Sequence, residues 1–291
     1  MIGIELLDGR AVAVAVDDSG RVVERATAEG PQLGAAALDA IAQLTGSDGL
    51  IGVAAKSPES TAVATAVLEL GRRHASVTPQ AVVSSGTAAA LAEAWAGAAR
   101  GAHDVVFFGV ADHVTAGFVR GGMPITGSHG RAASVAWLAL NPVEREDYRR
   151  AGCLEAEVAA AGTVRRLVWR IKAGDQSRVQ DHVGGDLSAI TLEHVLEAAR
   201  GGDGVSISVM RDTAKYLGMA AANLVVVLDP EVLVVGGVMA SAADLLLDAV
   251  RTEIGRRLPR PMMDALTIAP ALVGADAAAV GAARLASFAQ P

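Results

Sequence analysis

Twice in this chain a run of short apolar segments precedes a stretch of helix, and this doubling limits the possible folds more than any other feature. The first run covers residues 2–7, 11–16 and 21–28, cut by Asp8-Gly9 and by a second turn at 17–20. Asp-Gly between apolar runs is a strong hairpin signal, so an antiparallel meander is predicted. The second run covers 104–110 and 114–120 and ends on the turn Gly121-Gly122. After the first run, helical spacing at 32–44 and 61–74 alternates with buried strands at 50–54 and 81–83. Ser57-Pro58-Glu59 reads as the start signal of the 61–74 helix. After the second come helical segments at 154–160, 164–173, 192–199 and 205–227. A strand at 231–235, a helix at 242–258, a strand at 265–269 and a helix at 276–288 close the chain. The order predicts a duplicated α/β architecture without a residue-level repeat.

Composition narrows the class. Hydrophobic residues make up 52% and charged residues 20%, the balance of a globular chain. A net charge of -7 with dispersed arginines argues against a nucleic-acid surface or a polybasic membrane surface. The one cysteine, Cys153, rules out an internal disulfide and a cysteine-based zinc site and fits a reducing cytoplasm. The N-terminal decapeptide has no basic region or cleavage pattern, and the most apolar stretch, 217–238, is interrupted by Asn223, Asp229, Pro230 and Glu231. Only 3% of residues are aromatic. The core is therefore expected to be aliphatic and small, with backbones packed closely.

Residues 81–95 form the corner most suited to a ligand. An apolar strand end runs into Ser84-Ser85-Gly86-Thr87 and then into strong helix formers. At such a junction free N–H groups and the helix dipole meet. An ordinary turn with a serine cap explains the same residues.

Several strings together resemble the ROK family (repressors, open reading frames, sugar kinases) over almost the whole chain. They are residues 88–100, Gly152-Cys153-Leu154-Glu155, residues 198–203, residues 216–237 and residues 276–286. The resemblance implies an α/β chain with the two-domain actin-like ATPase (ribonuclease H-like) fold. A small domain of 1–95 plus 276–291 would face a large domain of 96–275, with the 84–87 corner at the bottom of the cleft. It also implies a kinase of a hexose or N-acetylhexosamine, with an aspartate base, Mg-ATP and glycine-rich phosphate hairpins.

The family's motifs are altered here. At the position of the Asn-Asp pair stand Ser84 and Ser85, and a serine needs its own base. Ser85 is expected to cap the helix. The first phosphate hairpin corresponds to residues 5–9, where Glu5 keeps a carboxylate suited to Mg²⁺ through water and Gly9 follows Asp8. The second corresponds to residues 111–115, where Asp112, His113 and Thr115 stand and all three glycines are gone. Asp8 and Asp112 would repel a triphosphate. An Asp112–His113 acid/base pair is disfavoured, because neighbours on a strand face opposite ways. Ser134 takes the place of an acidic sugar ligand, and Trp137 that of a zinc ligand, where it is expected to fill the space apolarly. Glu155 is retained, as a sugar ligand or as a first-turn glutamate favoured by the dipole. The loop after residue 53 is shortened, so Lys56 to Glu59 lead quickly into a helix. Gly236 and Gly237 admit an adenosine or simply a tight strand-to-helix connection.

These residues predict a ROK-type sugar-kinase homologue that has lost phosphotransfer. The substrate-binding candidates are Ser84, Ser85, Ser134 and Glu155. The nucleotide-side candidates are Glu5, Gly9, Thr115, Gly236 and Gly237. No metal and no zinc are expected, and Mg-ATP only in the alternative of an active hexose or N-acetylhexosamine kinase with relocated catalytic residues. A ROK transcriptional regulator is disfavoured, since no helix-turn-helix precedes Ile2. A small-molecule partner, a homodimer by family analogy and a cytoplasmic location complete the expectations.

Overall fold

The computed structural model of the protein describes residues 1–45, 49–74, 76–77 and 82–288. Ala81, the expected start of the corner strand, and residues 289–291 lie outside this set.

Strands β1 (Ile2–Leu7), β2 (Arg10–Val16), β3 (Val22–Glu29), β4 (Ile51–Ala55) and β5 (Val82–Ser84) form one sheet in the order β3-β2-β1-β4-β5. Strands β6 (Val105–Val110), β7 (Val114–Arg120), β8 (Met123–Pro124), β9 (Val232–Gly237) and β10 (Thr267–Pro270) form the other, in the order β10-β9-β6-β7-β8. In each sheet the first three strands are antiparallel neighbours and the last two run parallel to the first. The predicted duplication is therefore present, and the third strand that completes it in the second half, β8, is one the sequence reading did not mark.

The helices are α1 (Leu33–Ala42), α2 (Thr61–Arg73), α3 (Ser85–Ala96), α4 (Glu146–Ala151), α5 (Cys153–Val158), α6 (Ala160–Lys172), α7 (Val179–His182), α8 (Leu192–Arg200), α9 (Gly204–Leu228), α10 (Val238–Ser241), α11 (Ala243–Gly255), α12 (Arg260–Ala265) and α13 (Ala277–Phe288). Several boundaries differ from the sequence reading, two of them close to the site. The 154–160 segment is α5, broken at Ala159, whose extended backbone (φ -65°, ψ 164°) separates it from α6. The cap of α2 is Ser60, which accepts the Val63 N–H at 3.3 Å, rather than the Ser57-Pro58-Glu59 string. No described helix is long and apolar enough to cross a membrane.

Alternation along the strands builds three cores. Ile2, Ile4, Leu6, Ala11 and Ala13 face α1 and α2, whereas Val12, Val14 and Ala54 face α3 and α13. On β6, Val105 and Phe107 turn to that same middle layer, and Val106, Phe108 and Val110 turn to the outer helices around α9. The layers thus run α1/α2, first sheet, α3/α13, second sheet, outer helices.

The middle layer shows what so few aromatic residues permit. A Cβ at Gly3 or Gly52 would overlap the backbone of α13 at Ala279 or Ala282. One at Gly281 would overlap the Ala88 carbonyl of α3, and one at Gly86 the backbone of Ala116 on β7. Backbones touch from one sheet to the other, as expected for a core of small residues. Glu93, fully buried on α3, locks this layer. Its carboxylate accepts the N–H groups of Ala98 (2.7 Å), Leu272 (3.0 Å) and Val273 (2.9 Å), tying together the segments after α3 and before α13.

Candidate functional site

β5 runs directly into α3, and Ser84 keeps an extended backbone (φ -64°, ψ 147°). Its Oγ accepts the Thr87 N–H at 3.1 Å and meets Thr87 Oγ1 at 2.8 Å. Ser84 is therefore the N-cap, which corrects the expectation for Ser85. Ser85 occupies the first helical position, and its Oγ is buried with no hydrogen-bond partner.

Glu5 lies on the β1 face that Gly3 presents to α13. Burial raises its carboxyl pKa; the nearby Ser85 hydroxyl and Arg10 pull it back, and Asp276 raises it further. Ser85 approaches Glu5 closely enough to favour its charge but not in hydrogen-bond geometry. Asp276 itself pairs with Arg25 at 2.9 Å.

In front of the corner lies a cleft of about 270 Å³. Four elements converge on it: the loop before α2, the corner itself, the start of β7 and the segment from Gly130 to Glu155. Ser84, Ser85, Ser134 and Glu155, the four substrate-side candidates, all line it. Thr115 lines it too, so this residue sits with the substrate-side group and not with the nucleotide-side residues. Lys56, Glu59, Arg131 and Arg150 add charge to the walls. Sequence reading gave these four no site role, because they come from three separate segments and carry no common spacing.

Glu155 is the best anchored of the group. One oxygen accepts the Val114 N–H at 2.9 Å and the other lies 3.2 Å from His113 Nδ1. The carboxylate on α5 thus holds the β6–β7 hairpin while facing the cleft. His113 is turned to Glu155, and Asp112 borders a different cavity with Gly237, so the two do not form a pair. Ser134 Oγ donates to the Arg131 carbonyl at 2.8 Å, and the neighbouring Ala133 has a left-handed backbone (φ 66°), strained for a residue with a Cβ.

Trp137 does not fill a buried hole. It is 57% exposed on the cleft wall. The space behind the wall is closed by a small cluster of Tyr148, Cys153 and Ala156 and by a charged network. Glu157, only 3% exposed, accepts hydrogen bonds from Tyr148 Oη, from Arg145 at 2.9 Å and from Arg166 at 3.0 Å. Asp147 pairs with Arg145 and with Arg165. Arg145 also stacks over Tyr148, 4.7 Å from the ring centre. Burial and the Glu157 carboxylate push the Tyr148 pKa up, and burial pulls that of Arg166 down against Glu157. Where the resemblance points to a zinc motif, ion pairs knit the 140–166 segment together.

On the nucleotide side the candidates separate. Gly9 (φ 71°) sits on an exposed two-residue turn with open space around it. A Cβ at Gly236 would meet the Phe107 ring, and Gly237 (φ 61°) sits against the Val110 carbonyl where β9 enters α10. Packing accounts for both glycines, and Gly237 also borders the cavity that holds Asp112.

Comparison with known proteins matches the ROK family model to residues 75–288. A glucokinase of Halalkalibacterium halodurans is 30% identical over 209 residues, 70% of this chain and 62% of that protein. The chain thus spans less than two thirds of that relative's length. A ROK family glucokinase from Streptomyces griseus, solved with glucose and AMPPNP, superposes with a TM-score of 0.79 at 24% identity over 99% of both chains. A ROK family transcriptional regulator, a homologue of the Escherichia coli MLC protein, superposes with a TM-score of 0.82 at 20% identity over 99% of this chain and 77% of its own. These likenesses establish the actin-like fold.

Proposed function

The chain belongs to the ROK family, and from that premise we propose that it is a sugar-kinase-like pseudokinase. It binds a sugar or similar polyhydroxylated metabolite in the corner cleft and no longer transfers phosphoryl groups. One observation carries this reading. At the corner where the family's base would sit stands Ser85 at the first position of α3, and a hydroxyl cannot itself serve as a general base. The cleft's hydroxyls and carboxylates suit a polyol, and its volume, about 270 Å³, fits a ligand of monosaccharide size. The hairpins argue in the same direction. One is an exposed Asp8-Gly9 turn, and the other carries Asp112 and is pinned by Glu155.

The proposal includes residues 1–95 with 276–291 and residues 96–275 as two lobes closing on the ligand. It also includes a homodimer by analogy with the family and residence in the cytoplasm.

A second reading, an active hexose or N-acetylhexosamine kinase with a relocated base, has one observation in its favour. Burial raises the pKa of Glu5, which lies beside Ser85, toward the range of a general base. Incubation with Mg-ATP and a panel of hexoses and N-acetylhexosamines, coupled to ADP release, separates the two. The pseudokinase reading expects a sugar-dependent rise in Tm without ADP formation. Sugar-dependent ADP that vanishes in Glu5→Ala establishes the second reading instead. No response of either kind to any sugar overturns both.

A further inference from the structure

A second cavity lies outside the corner cleft. It is a groove of about 750 Å³ bounded by the 140–145 loop, α6, α9 and the end of α11. Five cationic side chains and two carboxylates line it, in a chain whose net charge is -7. Adding Asp147 and Glu253, which pair with Arg145, Arg165 and Arg257 from behind, still leaves the cations in excess. The shortage of acceptors is visible in the bonding. Arg145 and Arg166 share the Glu157 carboxylate, and Arg166 Nε is buried without a partner. Lys215, on the α9 wall, has one carboxylate partner, Asp212, at 2.9 Å and is itself exposed. The same two helices that carry charges into the groove also carry apolar and aromatic side chains. Trp169 of α6, 70% exposed, lines the groove together with Tyr216 and Met219 of α9.

We propose that this groove is a second ligand site, for a small anion that carries a flat aromatic ring. The carboxylate or phosphate of such a ligand adds an acceptor where five cations share four carboxylates. Its ring lies against Trp169 and Tyr216, removing exposed indole surface from water. Neither half of the ligand is sufficient. An inorganic anion leaves Trp169 exposed, and a neutral ring leaves the excess charge unanswered.

The test uses the full chain and the indole N–H signals of Trp95, Trp137 and Trp169 in nitrogen-15 correlation spectra, with Trp169→Phe to assign the groove signal. Phenyl phosphate, inorganic phosphate and phenol serve as probes. Phenyl phosphate is expected to shift the Trp169 signal saturably, and phosphate or phenol alone to bind about tenfold more weakly or not at all. Lys215→Ala, on an exposed helix position, should weaken phenyl phosphate about tenfold without changing Tm appreciably. A shift confined to Trp137 assigns the binding to the corner cleft and overturns the proposal. It is equally overturned if phenol binds as well as phenyl phosphate, or if Lys215→Ala has no effect. A Trp169 signal that moves with protein concentration alone identifies the groove as a self-association surface and also defeats it.

Discussion

Both sheets have the same strand order and the same mix of parallel and antiparallel neighbours, but equivalent gaps between strands are filled very differently. Between β3 and β4 the chain spends little more than α1; between β8 and β9 it inserts everything from residue 125 to residue 231. The first sheet is secured by backbone contact with α13 at Gly3 and Gly52. The inserted segment of the second half is secured by charge, with Arg145, Arg166 and Tyr148 gathered on Glu157. The chemistry-bearing residues follow the same division. The first half contributes the corner and Lys56 to Glu59, and the insertion contributes Arg131, Ser134, Arg150 and Glu155. One topology thus lends the cleft short turns from one half and a long insertion from the other.

If that division is right, the two halves should fail in different ways. Glu157→Ala leaves two guanidinium groups without their buried carboxylate and should cost about 3–5 kcal/mol, read from urea unfolding. A loss below about 1 kcal/mol would mean that the insertion is held by its apolar cluster instead. Gly281→Ala, by contrast, forces the backbones of α13 and α3 apart and should cost about 3 kcal/mol. Gly9→Ala, with open space around it, should cost only the left-handed backbone, about 1–2 kcal/mol. Equal losses at Gly281 and Gly9 would remove the case for backbone contact as the fastening of the first sheet. Ser84→Ala removes a helix cap and should cost about 1 kcal/mol, whereas Ser85→Ala, which deletes a hydroxyl without a partner, should be neutral or stabilising. The opposite ranking would return the cap to Ser85.

A pH titration gives the smallest expected effect. The folded-state pKa of Glu5 is raised above 4.5, so the folded protein holds that proton more tightly than the unfolded chain. Its contribution to stability is full below the unfolded value and is lost as pH rises through the folded value. Thermal unfolding of Glu5→Gln, compared with wild type from acid to neutral pH, should gain relative stability across that window. A difference that is flat with pH would show that the carboxyl is not perturbed.

Much of the fold was legible because turn chemistry and period-two alternation are local. Asp8-Gly9 and Gly121-Gly122 mark their hairpins directly. The three cores follow from which residues alternate on β2 and β6. The short helices α4, α7 and α12 left no such mark, since one or two turns are too few to show a period. At the corner, two adjacent serines carry the same capping chemistry. Only the extended backbone at Ser84 decides between them. Trp137 was misplaced because a large apolar side chain is ordinarily buried, whereas the neighbouring space is closed by charges on residues 145–166, which carry no spacing that announces their pairing. Glu155 reaches across 41 residues to Val114, a pairing with no local period to reveal it.

The fit of Gly3 and Gly52 against α13 also bears on the order of assembly. The strands that open the chain find the main packing partner for one face in residues 277–288. During vectorial synthesis the first sheet must wait, with that face uncovered, until this late helix emerges. Contacts between such distant segments are entropically costly to close and slow to form. The first sheet to be made is therefore the last to be covered, and it is there that a chaperone has the longest time to act.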